Sequence, residues 1–235
     1  MDELRVALLV TFTGDGSPDN FHRDIPADLE TYWTADGELP DFDDVDAAVV
    51  TGSGASAYWD EEWIHDLREW LAEADERGMP LFGVCFGHQI LAAALGGEVG
   101  DMGEYELGYA TVTHTGTSPL FEGIDREFTA FATHHDEVTA LPPGAEAIAE
   151  NEWANHGYRR GHAFGVQFHP EFDRDTALRV IDMKELPDAE LDAARATVTD
   201  ENVAAAQRAK RVFDNFCRYA AEATGTRAPT APADD

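Results

Sequence analysis

The chain has 235 residues, of which 43% are hydrophobic and 10% aromatic, and its formal net charge is −31 at neutral pH. That apolar content can bury a core, which excludes a wholly disordered chain, while the acidity repels phosphate backbones and excludes autonomous nucleic-acid binding. No apolar run approaches the roughly 20 residues that cross a bilayer, and MDELRVALLVTF puts acids ahead of a short apolar run, unlike a secretory leader. The expectation is therefore a soluble, cytoplasmic protein with no membrane partner.

In chain order, Arg5–Phe12 (RVALLVTF), Asp46–Thr51 (DAAVVT) and Pro80–Val84 (PLFGV) are continuous apolar runs, the pattern of strands buried on both faces. Glu61–Gly78 sets Trp63, Ile64, Leu67, Trp70, Leu71 and Ala74 at helical spacing and stops on glycine. Gly87–Leu95 follows the third strand as a helix ended by Gly96-Gly97. Strand, helix, strand in that order predicts right-handed crossovers and a mainly parallel sheet. Tyr109–His114, Glu127–Ala132, Ala145–Ala149 and His162–Phe168 are shorter runs between Gly, Pro and Asp turns, and predict antiparallel strands that extend the sheet or form a small subsheet. Glu185–Asp200 has helical propensity without a clear register, and Asn202–Ala221 predicts one amphipathic closing helix carrying Val203, Ala206, Val212, Phe213, Phe216 and Tyr219. The fold class is α/β: a mainly parallel central sheet flanked by helices, with a small antiparallel extension. Residues 1–223 read as one domain and 224–235 as a disordered tail.

Lys184 and Lys210 are the only lysines, and acids run from Asp2 to Asp235. An acidic, lysine-poor surface resembles proteins of salt-in halophiles, in which abundant cations screen the self-repulsion. Cys85 and Cys217 are too few for a disulfide scaffold, and no HExxH or Cys/His ligand set implies zinc. No cofactor or metal is expected.

The chemistry centres on Gly83-Val84-Cys85-Phe86-Gly87. A strand feeding into Gly-x-Cys-x-Gly, with a helix beyond, is the context of a nucleophile elbow with Cys in place of Ser. The glycines clear the turn, and the helix start favours the thiolate. The bland alternative is a buried Cys serving as a small hydrophobe. A nucleophile needs a base, and the base an orienting group. In Val166-Gln167-Phe168-His169-Pro170-Glu171 a strand ends at His169, and Glu171 two residues on can reach the imidazole. A surface His and Glu at a turn is the competing reading.

Together, VCFGHQI and VQFHPEF resemble the class I (triad-type) glutamine amidotransferases, from about Arg5 through Phe172, with the GMP synthase amidotransferase and its stand-alone relatives most similar. The resemblance implies a flavodoxin-like three-layer fold with Cys85 as nucleophile, His169 as base and then acid, and Glu171 orienting it. It implies an oxyanion hole from the main chain near Gly54, in Thr51-Gly52-Ser53-Gly54-Ala55-Ser56, and from Phe86. Gly54 stands where the family often has proline. Substrate contacts would come from Gly52, Gln89 and the segment Thr133-His134-His135-Asp136-Glu137-Val138, with Asp136 at the ammonium end of the substrate and His135 beside it. Asp136 on an acidic surface turn is the bland alternative, and His134 with His135 lacks a third metal ligand. The implied substrate is L-glutamine or a γ-glutamyl compound. Three roles follow: an amidotransferase feeding ammonia to a separate synthase, a stand-alone γ-glutamyl peptide hydrolase, and a catalytically silent partner-binding subunit. Intact Cys85, His169 and Glu171 speak against the last.

Overall fold

A computed structural model describes residues 3–12 and 18–227. The parallel half of the sheet is built from β1 (Arg5–Val10), β2 (Asp28–Trp33), β3 (Ala47–Val50), β4 (Leu81–Val84) and β9 (Ala163–Val166). The other half is antiparallel: β5 (Glu98–His114), β6 (Glu127–Ala140), β7 (Glu146–Glu150) and β8 (Asn155–Arg160). All nine join in one sheet of order β2-β1-β3-β4-β9-β8-β7-β5-β6, so the antiparallel strands extend the main sheet rather than forming a separate one. The extension holds the two longest strands, β5 of 17 residues and β6 of 14.

The unbroken apolar runs of β1, β3 and β4 have a direct cause. Alternate side chains leave opposite faces of a strand, and here both faces are covered. Val6, Leu8, Val49 and Phe82 pack with Phe213 and Phe216, on the side of α7 (Arg211–Thr224). Ala7, Leu9, Ala48, Val50 and Leu81 pack with Ile64, Leu67 and Leu71 of α2 (Glu62–Glu76) and with Ile90 and Leu91 of α3 (Phe86–Ala94). A third cluster joins Tyr109 of β5 and Phe131 of β6 to α4 (Arg174–Asp182), α5 (Asp188–Ala196) and α6 (Asp200–Ala206).

Several elements differ from the sequence reading. The single helix expected over Asn202–Ala221 is divided into α6 and α7 by a 3-10 stretch, Gln207–Lys210. The division has a packing reason: Ala206 belongs to the β5–β6 cluster, whereas Phe213 and Phe216 serve the parallel sheet, and one straight apolar stripe cannot face both. Strand β2 carries no apolar run because it lies at the sheet edge, paired only with β1 and never fully buried. Strand β8 reads NHGYRR, too polar to suggest a strand, yet it is paired on both sides. The short helix α1 (Asp19–Asp24) completes the α7 face through Phe21. At the expected tail, Arg227 forms a parallel bridge with Glu3, and residues 228–235 lie outside the described residues. No helix among the described residues is long and apolar enough to cross a membrane.

Candidate active site

Strand β4 stops at Val84 and α3 starts at Phe86, leaving Cys85 alone at the corner. Its backbone sits at φ 54° and ψ −108°, the one positive φ outside glycine among the described residues. An L-residue is strained there, and the surrounding main chain holds it: Cys85 N–H donates to Val166 O at 2.8 Å, and Gln89 N–H donates to Cys85 O at 3.1 Å. The flanking glycines are steric necessities. A Cβ at Gly83 would lie 2.2 Å from the Gly87 carbonyl oxygen, and one at Gly87 would lie 2.3 Å from that of Val50. Three main chains meet at this corner, and the thiol is presented at the positive end of a helix.

His169 arrives from the neighbouring strand. Beyond β9 its N–H donates to Phe131 O of β6 at 2.8 Å, and its ring stacks on Phe172 with centroids 4.3 Å apart. Nδ1 lies 2.7 Å from Glu171 Oε1, with both side chains buried. Cys85 and His169 share a neighbour in Gly52: a Cβ there would stand 2.9 Å from His169 Cε1 and 3.5 Å from Cys85 Cβ. Burial works against an imidazolium, but the Glu171 carboxylate and the Cys85 sulfur outweigh it and raise the His169 pKa to about 10. His169 Nε2 is buried with no hydrogen-bond partner among the described residues, the position from which a proton can be exchanged. Arg23, which the sequence does not single out, donates through Nη2 to the Glu171 carbonyl at 2.9 Å and ion-pairs with Asp173 at 3.1 Å, tying α1 to this end of the site.

The loop after β3 is anchored by hydroxyls. Thr11 Oγ1 donates to Thr51 O at 3.1 Å, Ser53 Oγ donates to Thr11 O at 2.8 Å, and Ala55 N–H donates to Ser53 Oγ at 3.1 Å. Gly52 is confined by the His169 ring, whereas a Cβ on Gly54 would meet nothing within 4 Å. Phe86 opens α3, so its N–H is one of the donors that a helix start leaves without an intrahelical acceptor.

The segment Thr133–Val138 is not a turn but part of β6. Its strand alternation buries His134 and Asp136 and leaves His135 partly exposed. Thr133 O accepts from Cys85 Sγ at 3.7 Å. Gln89 Nε2 donates to Asp136 O at 2.9 Å and to Gln167 Oε1 at 3.0 Å, so both of its donors are engaged with protein, and it holds the Asp136 backbone from below. At the Asp136 carboxylate, Tyr58 donates its hydroxyl to Oδ1 at 3.0 Å, and His135 Nε2 stands 3.5 Å away. Beside His135 and Tyr105, whose rings stack 5.7 Å apart, begins a groove of about 1320 Å³ that runs past Trp153 to Leu186 and Glu190.

His134 does not pair with His135. Its Nε2 faces Glu106 Oε2 at 2.8 Å, His156 Nε2 faces the same oxygen at 3.0 Å, and Asn151 donates to Glu106 Oε1 at 2.6 Å. The two imidazoles and the carboxylate offer ligand atoms within 4.8 Å of one another, so a third candidate ligand does exist for His134. Here the three groups bond to one another, while His156 Nδ1 is buried with no hydrogen-bond partner among the described residues. His134 Nδ1 donates to Asp136 O at 3.0 Å, and its Nε2 bonds Glu106, the single carboxylate of the set. A divalent ion would leave net positive charge in a dry interior. Burial opposes ionisation of Glu106, but bonds from His134 and His156 hold its pKa down at about 2. His88 is fully buried against Tyr158, and burial lowers its pKa to about 3, the surroundings of a neutral packing residue.

Residues 26–182 match the family described as Glutamine amidotransferase class-I. The chain is 38% identical over 126 residues to the GMP synthase [glutamine-hydrolyzing] of Thermomicrobium roseum, covering 52% of this chain and 23% of that one. It is 47% identical over 98 residues to a GMP synthase of Thermus thermophilus, covering 40% of this chain and 19% of that one. Gamma-glutamyl peptidase 5 of Arabidopsis thaliana is 31% identical over 181 residues, covering 69% of this chain and 71% of that protein. The crystal structure of a glutamine amidotransferase from Thermotoga maritima superposes with a TM-score of 0.77 at 22% identity, covering 92% of this chain and 99% of that one, which shows a shared fold.

Proposed function

The chain belongs to the class I glutamine amidotransferase family, and from that premise we propose that it hydrolyses the side-chain amide of L-glutamine through a thioester on Cys85, for use by a separate synthase. The observation that carries the reading is the strained elbow cysteine beside a buried histidine that is itself bonded to a buried carboxylate. His169, whose pKa is raised to about 10, is the group placed to take the Cys85 proton as the sulfur attacks. The sulfur attacks the γ-carbonyl carbon, and the oxyanion takes N–H bonds from Phe86 and Gly54. His169 protonates the departing nitrogen, and ammonia leaves. A water molecule then gives its proton to His169 as its oxygen attacks the thioester, and glutamate departs with the thiol restored. Asp136, buried and acidic, suits the substrate's α-ammonium group, and Gly52 keeps the space beside His169 open.

A second reading uses the same residues on a γ-glutamyl peptide, releasing an amine in place of ammonia. One observation favours it: the similarity to the Arabidopsis peptidase spans most of both chains. Glutamate release from L-glutamine and from a panel of γ-glutamyl dipeptides, measured in molar KCl with Cys85→Ala as control, separates the readings. Dipeptide cleavage with weak glutamine use makes the chain a stand-alone hydrolase. Glutamine turnover without dipeptide cleavage supports the amidotransferase. Silence on both, with a folded protein, counts against autonomous catalysis.

A further inference from the structure

The Asp136 carboxylate is only 2% exposed, and among the described residues its ion-pair partner is the partly exposed His135 at 3.5 Å. A carboxylate taken out of water at a candidate substrate site, with no lysine or arginine against it among the described residues, is suited to a cation that comes and goes. Its nearest donor is the Tyr58 hydroxyl, 3.0 Å from Oδ1. Tyr58 stands just past the glycine loop, is half exposed, and neighbours the similarly exposed Trp59, so the phenol links the buried carboxylate to the surface.

A phenol that gives its proton to a carboxylate keeps its own lone pairs. The Tyr58 oxygen and Asp136 Oδ1 therefore form a two-oxygen cradle, one oxygen charged and one neutral, with the spacing that a primary ammonium bridges with two of its three N–H groups. We infer that Tyr58 is a specificity-determining residue: with Asp136 it forms the receptor for the α-ammonium of a γ-glutamyl compound, donating to the carboxylate while accepting one ammonium N–H. The inference rests on the γ-glutamyl reading of the Cys85 site. It narrows the substrate class to γ-glutamyl amides with an unblocked primary α-amino group. N-acylated compounds bring a single N–H and no charge, so they leave Asp136 uncompensated.

The test is a calorimetric titration in molar KCl of Cys85→Ala and of Cys85→Ala/Tyr58→Phe, each with L-glutamine and with glutaramate, the same molecule without its α-amino group. In parallel, kcat/KM for both compounds is compared between the wild type and Tyr58→Phe. Removing the hydroxyl should weaken L-glutamine about tenfold, the size expected of one hydrogen bond to a charged group, and leave glutaramate unchanged, with the rate effect in KM rather than kcat. Equal weakening of both ligands would mean that Tyr58 only shapes the pocket. No weakening, or tighter glutamine binding, would mean that the phenol is a bystander or a competitor. Each of these results overturns the inference while leaving the γ-glutamyl reading intact. If folded Cys85→Ala binds neither compound and the wild type turns over neither, the γ-glutamyl reading fails, and this inference with it.

Discussion

Glu171 Oε1 and His169 Nδ1 stand 2.7 Å apart in a site closed to solvent. That single contact sets which nitrogen of His169 carries a fixed proton and which is left to exchange one with Cys85. Glu171→Gln keeps the shape but removes the charge, so kcat should fall on the order of 100-fold or more, with a smaller effect on KM. It should also change the pH dependence of stability. The folded-state pKa of His169 is raised from 6.5 to about 10, so its contribution is complete below about 6.5 and is lost as the pH rises towards 10. Thermal midpoints between pH 6 and pH 10 should therefore fall more steeply in the wild type than in Glu171→Gln. Parallel curves would show that Glu171 does not govern His169.

The two cysteines should behave as different chemical species. Cys217 lies in the core, where burial pushes its pKa up to about 12, so it is protonated and inert at neutral pH. Alkylation at pH 7.5 should stop at one equivalent, mapped by mass spectrometry to Cys85, and should abolish glutamate release. Cys217→Ala should retain the rate while costing about 1 kcal/mol of stability, the scale of a small core deletion. Equal loss of turnover in Cys85→Ala and Cys217→Ala would remove the basis for an elbow nucleophile.

The parts of the site visible in the sequence are those made by neighbours in the chain. Gly83, Cys85 and Gly87 mark the corner because steric demand on the main chain is local, and His169 and Glu171 stand two residues apart. The parts invisible there join distant residues. Tyr58 meets Asp136 across 78 positions, His156 meets Glu106 across 50, and Arg23 reaches Glu171 across 148. No spacing rule encodes such pairs. At Thr133–Val138 an acidic turn is the bland alternative because His, His, Asp and Glu rarely fill a strand. Pairing along β5 and the buried partners of His134 and Asp136 override that propensity. The fold is legible where strands are buried on both faces and obscure at the half-exposed β2 and the polar β8.

The surface charge gives a prediction about solvent. With 47 acidic residues against 16 basic ones, most carboxylates have no cation to pair with, and their repulsion is felt most by the compact state. Screening shortens from about 10 Å at 0.1 M salt to about 3 Å at 1 M. The thermal midpoint at pH 7 should accordingly rise by several degrees from dilute buffer to molar KCl. Equal midpoints would dissociate this composition from adaptation to salt.

Glu106 offers a stability test away from Cys85. Its carboxylate accepts from His134, His156 and Asn151 in the interior, and His134 in turn donates to the Asp136 main chain. Glu106→Gln leaves the volume nearly unchanged but removes the carboxylate charge that the His134 and His156 rings face, and breaking a buried pair from one side costs about 3 kcal/mol. The folded pKa of Glu106 is lowered from 4.5 to about 2, so its contribution is present above about 4.5 and is lost as the pH falls towards 2. Urea unfolding in molar KCl should thus show a large deficit for Glu106→Gln at pH 7 that shrinks as both proteins are taken to acid. Because the Asp136 backbone hangs on the same network, the variant should also bind L-glutamine more weakly in the Cys85→Ala background. A deficit that stays constant with pH would mean that the loss is one of packing and that the Glu106 charge contributes nothing.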